Sequence, residues 1–198
     1  MKKLIWFIAF LPLLYIAYKL SWAFEYPAYI ARFIYDNTGG VLGSFPRDPL
    51  KFIADLLGIT AIQFLIATLS VTPIKSYLKI NFIKQRRLLG LWTFTYALMH
   101  SMFFFIAENE GSLSMMYEDM LKRPFVFFGA SAFLILCMMA ITSHKKLFPK
   151  FVKWHKLVYL AAVLILLHYM MSQKVVSMNV MMYVGILGGL LALRLLKR

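Results

Sequence analysis

The sequence holds a single cysteine, Cys137, and that residue lies inside an apolar run. A disulfide framework and a cysteine-based metal site are thereby excluded; a lone thiol in such a setting reads as a small buried hydrophobe. Charge is scarce too, at 15% of residues where a soluble domain carries about 25%. Acids are scarcest, with eight Asp and Glu against 22 Lys and Arg. Too few carboxylates remain for a paired-carboxylate acid–base site, and the chain has no glycine-rich phosphate loop and no Ser/His/Asp arrangement. The formal charge of +14 would suit nucleic acid, but no polar domain exists to hold such a surface. The basic residues instead fall in short clusters between apolar runs, the pattern of membrane-topology signals. No internal repeat or low-complexity tract interrupts it.

What fills the chain is apolar: 62% of its 198 residues, against about 45–50% in a soluble domain. The expectation is an all-α integral membrane bundle of six transmembrane helices, forming one domain over residues 1–198. The helices fall roughly at 4–24, 52–71, 88–106, 125–142, 155–171 and 178–193, each near the ~20 residues that cross a bilayer. The first resembles a signal peptide but lacks a small-x-small cleavage site, with Trp22, Phe24 and Tyr26 in the way. It therefore reads as an uncleaved span with Lys19 snorkelling to the interface. Turn signals at 36–40 and 45–49 bracket a stretch, Tyr26 to Tyr35, placed along the membrane surface.

Charge sets the orientation. The N-terminus, the 2–3 loop, the 4–5 loop and the C-terminus together hold 15 of the 22 Lys and Arg and none of the acids. Both termini are accordingly expected in the cytoplasm of a multi-pass inner-membrane protein, with lipid as its surroundings and no nucleic-acid partner.

Two histidines lie deep in apolar sequence. His100 is 12 residues beyond Leu88 and His168 is 11 beyond Leu157, depths of about 18 Å and about 16–17 Å at the helical rise. Both helices run outward, so the two imidazoles can approach one centre. Ionisable groups within a span are functional candidates; hydrogen bonding between helices is the alternative. A bare zinc ion would want further ligands, and the helix interiors offer few. Haem needs only two axial ligands, which makes His100 and His168 a candidate pair for its iron, with Trp92, Phe94, Tyr96, Met99 and Tyr169 available for packing. An iron with both axial sites filled suits electron transfer. A ferric reductase or other transmembrane cytochrome b with a different acceptor is one competing reading, and a non-redox transporter or assembly protein is the other.

His155 sits at the cytoplasmic edge of the fifth helix, level with Arg86 and Arg87. It reads either as a ligand or orienter at a second cofactor site with Arg86, or as a solvated interface residue. On an ideal helix it points about 140° away from His168. His144, in a lysine-rich loop, reads as solvated.

Several blocks carry a family resemblance: Asp48-Pro49, Phe64 to Leu69 with Thr72-Pro73, Arg86 to Trp92, His100, Lys122-Arg123-Pro124, Thr142-Ser143, Trp154 to Tyr159, and His168-Tyr169 with Ser172 and Lys174. In order and spacing the chain resembles the ferric-reductase-like transmembrane proteins, in the branch of membrane subunits that serve periplasmic protein-methionine-sulfoxide reductases. The resemblance runs from about residue 48 to the end. It implies haem b, one or two, held by His100 and His168, with His155 as the third family histidine. It implies electrons drawn from the quinone pool or from FMN or a flavin reductase, and passed to a periplasmic molybdopterin-containing reductase that repairs oxidised methionines. Larger relatives place a histidine 14 residues before the position of His100, where this chain has Arg86, so a bis-histidine inner haem is not implied. Those relatives also continue into a flavin- and nicotinamide-binding domain, so a chain ending at Arg198 is expected to take its electrons from a separate donor.

Overall fold

The computed structural model describes residues 2–21, 49–173 and 177–196. Every regular element among them is a helix: α1 (Lys2–Ser21), α2 (Pro49–Pro73), α3 (Ile83–Phe103), α4 (Leu113–Lys122), α5 (Pro124–Thr142), α6 (Phe148–Phe151), α7 (Val158–Ser172) and α8 (Met178–Leu196). Among the described residues, four stretches are long and apolar enough to cross a membrane: Leu50–Leu78, Ile83–Ala107, Pro124–Thr142 and Phe148–Ser172. Met178–Arg194 is apolar but shorter. The surface stretch expected at 26–35 and the end of the first expected span lie outside the described residues.

The chain divides into two compact units, Met1–Leu57 and Gly58–Arg198, with the boundary inside α2. In the first unit α1 presents Leu4, Trp6, Phe7 and Leu14 outward, which suits lipid rather than water. Lys19 does not snorkel outward: it is buried, with its ammonium 5.8 Å from the ring centre of Tyr15. That cation–π contact offsets part of the cost of burial.

In the second unit α2, α7 and α8 enclose a core of Ile62, Leu65, Leu69, Val158, Ala162, Tyr169, Val180 and Leu187. The closest helix pair is α5 with α7. Small residues make this approach feasible: Ala132, Ala161 and Ala162 are buried, and small side chains let helix backbones close up in lipid, where packing drives association. Aromatic stacking ties α2 to α3, with Phe64 and Tyr96 rings 5.7 Å apart and nearly parallel at 11°. Phe94 and Phe133 stack at 6.2 Å and 9° between α3 and α5.

The helix ends follow local chemistry. Pro73 lacks the N–H that would continue the ladder, and the chain passes into a π-helical turn, Ile74–Leu78, closed by Lys79 at φ 57°. A second π turn, Phe104–Glu108, ends α3. Ser112 caps α4 by accepting from the Met115 N–H at 3.4 Å, and Pro124 opens α5 at a position where a missing N–H costs nothing. α4 falls where the sequence suggests only a loop. It is amphipathic, with Leu113, Tyr117 and Leu121 exposed along one side and a Lys122–Glu118 ion pair at 2.8 Å on another. Arg123 bridges Asp119 at 3.4 Å and Glu108 at 3.8 Å. This is the acidic end of the unit; the opposite, basic end holds the start of α3, the α5–α7 connection and the end of α8.

Candidate cofactor sites

His100 comes from the last turn of α3 and His168 from the last turns of α7. The structure brings them together: ring centres lie 6.1 Å apart and ring planes cross at 77°. His168 Nδ1 lies 2.7 Å from the carbonyl oxygen of Phe125 at the start of α5. A carbonyl only accepts, so Nδ1 carries the proton and donates it. In the neutral ring the lone pair is then left on Nε2, the arrangement of metal-ligating histidines, whose second nitrogen donates to a carbonyl or carboxylate.

Both rings rest against glycine. A Cβ built on Gly129, one turn after Phe125 on α5, would fall 2.7 Å from His168 Nδ1 and 2.9 Å from its Cε1. One built on Gly58 of α2 would fall 3.3 Å from His100 Cε1 and Nδ1. Each imidazole therefore occupies a cradle that a methyl group would crowd.

The pair fits a metal centre that brings its own equatorial ligands. Two nitrogens each ~2 Å from a metal put ring centres roughly 6 Å apart, the separation observed. Among the described residues no group of three or more His, Cys, Asp or Glu could hold an ion, so the side chains do not compose a full ligand shell for a bare metal.

His155 lies apart from this pair, at the basic end. It precedes α7 in a 3-10 stretch, Val152–Leu157. The tighter turn reduces the angle between His155 and His168 from about 140° to roughly 80–100°. Its Nε2 lies 3.2 Å from Thr142 Oγ1, and its ring packs on Phe148 at 5.0 Å. The Thr142 hydroxyl has one proton, and the Met138 carbonyl at 2.8 Å takes it. His155 Nε2–H is thus the donor to Oγ1, and its lone pair sits on Nδ1, the reverse of His168. His155 and Arg86 line one cavity of about 1290 Å³, together with Arg87, Lys145, Lys156, Tyr159 and Arg194. Among the described residues, five cations and no carboxylate line that space. The Arg194 guanidinium lies 5.5 Å from the Tyr159 ring centre. His144 is exposed and is not among the residues that line the cavity. Sequence reasoning missed Gly58, Gly129 and Phe125, and marked Thr142 only as part of a family block without its contact to His155, since each matters through a residue brought to it from another element.

A family model described as ferric reductase like transmembrane component matches residues 56–166. The chain belongs to that family. It is 36% identical over 163 residues to the protein-methionine-sulfoxide reductase heme-binding subunit MsrQ of Rhizobium meliloti, covering 80% of this chain and 76% of that one. The MsrQ proteins of Brucella anthropi (36% over 162 residues, 80% and 74% covered) and Brucella ovis (37% over 160 residues, 79% and 73%) are similarly close. No solved structure matches the chain. With four helices among its described residues long and apolar enough to cross a bilayer, this ferric reductase-like protein is a multi-pass protein of the inner membrane.

Proposed function

We propose that the chain is a haem b-binding electron-transfer subunit, with His100 and His168 as the axial ligands. The observation that carries this is the imidazole pair at 6.1 Å, with His168 Nδ1 committed to the Phe125 carbonyl and its Nε2 lone pair available. The relatives' printed name, heme-binding subunit, supports the same reading. Bound there, haem b supplies a one-electron carrier without an open coordination position for oxygen. The chain's own residues do the rest. Phe125 fixes the tautomer and direction of His168. Gly129 and Gly58 let both rings seat without displacing α5 or α2. Phe64, Trp92 and Tyr96, buried and in mutual contact, pack α2 against α3, the helix that carries His100.

In this reading all six long helices span the inner membrane as a single domain with both termini cytoplasmic. Electrons enter at the basic end, from the quinone pool or a flavin donor, and leave at the acidic, periplasmic end to a molybdopterin-containing methionine-sulfoxide reductase. The cavity at the basic end is a second cofactor site. Its five cations favour an anionic group, a second haem through its propionates or FMN through its phosphate, with His155 and Arg86 on its wall.

The test is electron delivery. Reduced protein in membranes is mixed with the periplasmic reductase and a methionine sulfoxide, and reoxidation is followed optically. Faster reoxidation with both present than with either alone is the expected result; equal rates would remove this acceptor.

A further inference from the structure

The methionines are unevenly placed. Of 13 in the sequence, Met1, Met138 and Met139 are on the basic side of the topology. The other ten fall in three segments at or near the acidic end: Met99 and Met102, Met115 to Met120, and Met170 to Met182. Among the described residues every exposed methionine belongs to that second group; Met102, Met170, Met171, Met181 and Met182 lie within apolar helices, whereas Met115 is on α4 between the spans and Met178, 80% exposed, is the first residue of α8. Met138 and Met139 are only partly exposed. An exposed thioether is a common target of oxidants, and its sulfoxide is reversible by dedicated reductases. A chain wanting plain lipid-facing bulk at these positions could use leucine; methionine puts oxidisable sulfur on the side where the proposed repair enzyme docks.

We propose that this subunit is itself a substrate of the repair system it feeds, with Met115 and Met178 as the principal sites; the inference rests on the electron-transfer reading above. In the damaging step hypochlorous acid transfers its oxygen to the thioether sulfur, which loses two electrons, and chloride and a proton are released. In the repair step the sulfoxide takes two electrons and two protons, its S–O bond breaks, and the oxygen leaves as water. The electrons come through this chain and are used by the reductase seated at the acidic end, beside the damaged side chains. Unrepaired, each sulfoxide turns an apolar contact polar, so the electron supply and the integrity of its own outer face are coupled.

The experiment uses the full chain in right-side-out membrane vesicles, treated with hypochlorous acid, quenched, and examined by peptide mass spectrometry. Sulfoxide at Met115 and Met178 should exceed that at Met138 and Met139 several-fold. It should fall back when the purified reductase is added with a quinol donor or with reduced FMN, tried in parallel, in step with a free methionine-sulfoxide peptide included as control. The double variant Met115→Leu with Met178→Leu should lose most of the outer-face signal. Equal oxidation at both ends would overturn the proposal. So would outer sulfoxides that persist while the control peptide is reduced, and that outcome leaves the electron-transfer reading intact. If the control peptide is reduced with neither donor, the electron-transfer reading falls and takes this inference with it.

Discussion

Gly129 and Gly58 carry different loads, and the difference is measurable. An alanine at 129 would place its Cβ 2.7 Å from His168 Nδ1, whereas at 58 the nearest approach to His100 is 3.3 Å. The first must displace a ring or a helix, at about 1–3 kcal/mol for such overpacking; the second asks for a few tenths of an ångström. Gly129→Ala is therefore expected to lower haem retention and shift the optical spectrum, while Gly58→Ala keeps most of both. Purified variants compared by absorbance decide it, and wild-type behaviour of Gly129→Ala would mean that the cradle is not needed. Thr142→Val tests the other histidine. It keeps the side-chain shape but removes the acceptor of His155 Nε2–H, which should cost about 1 kcal/mol of stability. Unchanged denaturant midpoints in detergent would show the contact to be idle. None of these partners could be read from the sequence. A glycine or threonine in an apolar run gives no sign of which side chain from another helix will lie against it, whereas a histidine in the same run stands out because burial there is costly.

At the scale of elements, the apolar runs were plain, and their boundaries moved by a few residues. The differences have local causes. Proline at 73 suggests a stop, but the chain goes on through a π turn to Leu78. The fifth run begins with 3-10 geometry at Val152, which the apolar pattern does not encode. α4 went unrecognised because its ten residues are too few and too charged to resemble a span, although Ser112 ahead of Met115 is an ordinary cap. Within α4, the hydrogen bond from Lys122, and then its charge, hold the Glu118 carboxyl below its usual range. A depressed carboxylate stabilises above the unfolded pKa and loses that contribution as pH falls through the folded one. α4 should thus loosen on acidification, and Lys122→Ala should blunt that dependence when backbone exchange is followed by mass spectrometry. The core between α2, α7 and α8 gives a larger effect. Leu187 is fully buried there, and Leu187→Ala is expected to cost about 2–5 kcal/mol, while exposed Leu193→Ala should change the melting temperature little. Equal effects of the two would mean that α8 is not packed as described.

Over the whole molecule, the asymmetry of charge and the pairing of histidines describe one device. Five cations line the cavity at one end, ion-paired acids sit at the other, and the imidazole pair lies toward the acidic side. The charge asymmetry is legible in sequence because each basic loop repeats the same message; the size of the cavity is not, because it depends on how far α3, α5 and α7 splay. Cysteines introduced at Ser114 and Lys146, in a Cys137→Ser background, should label from the periplasm and the cytoplasm respectively; the reverse would invert the direction proposed for electron flow. The account rests above all on His100 and His168 sharing one haem. The direct measurement is the haem-to-protein ratio and low-spin absorbance of the purified wild type beside His100→Ala, His168→Ala and His155→Ala. Loss of the same low-spin signal in both His100→Ala and His168→Ala, with that signal retained in His155→Ala, is the predicted result. Its survival in either of the first two would contradict the shared site.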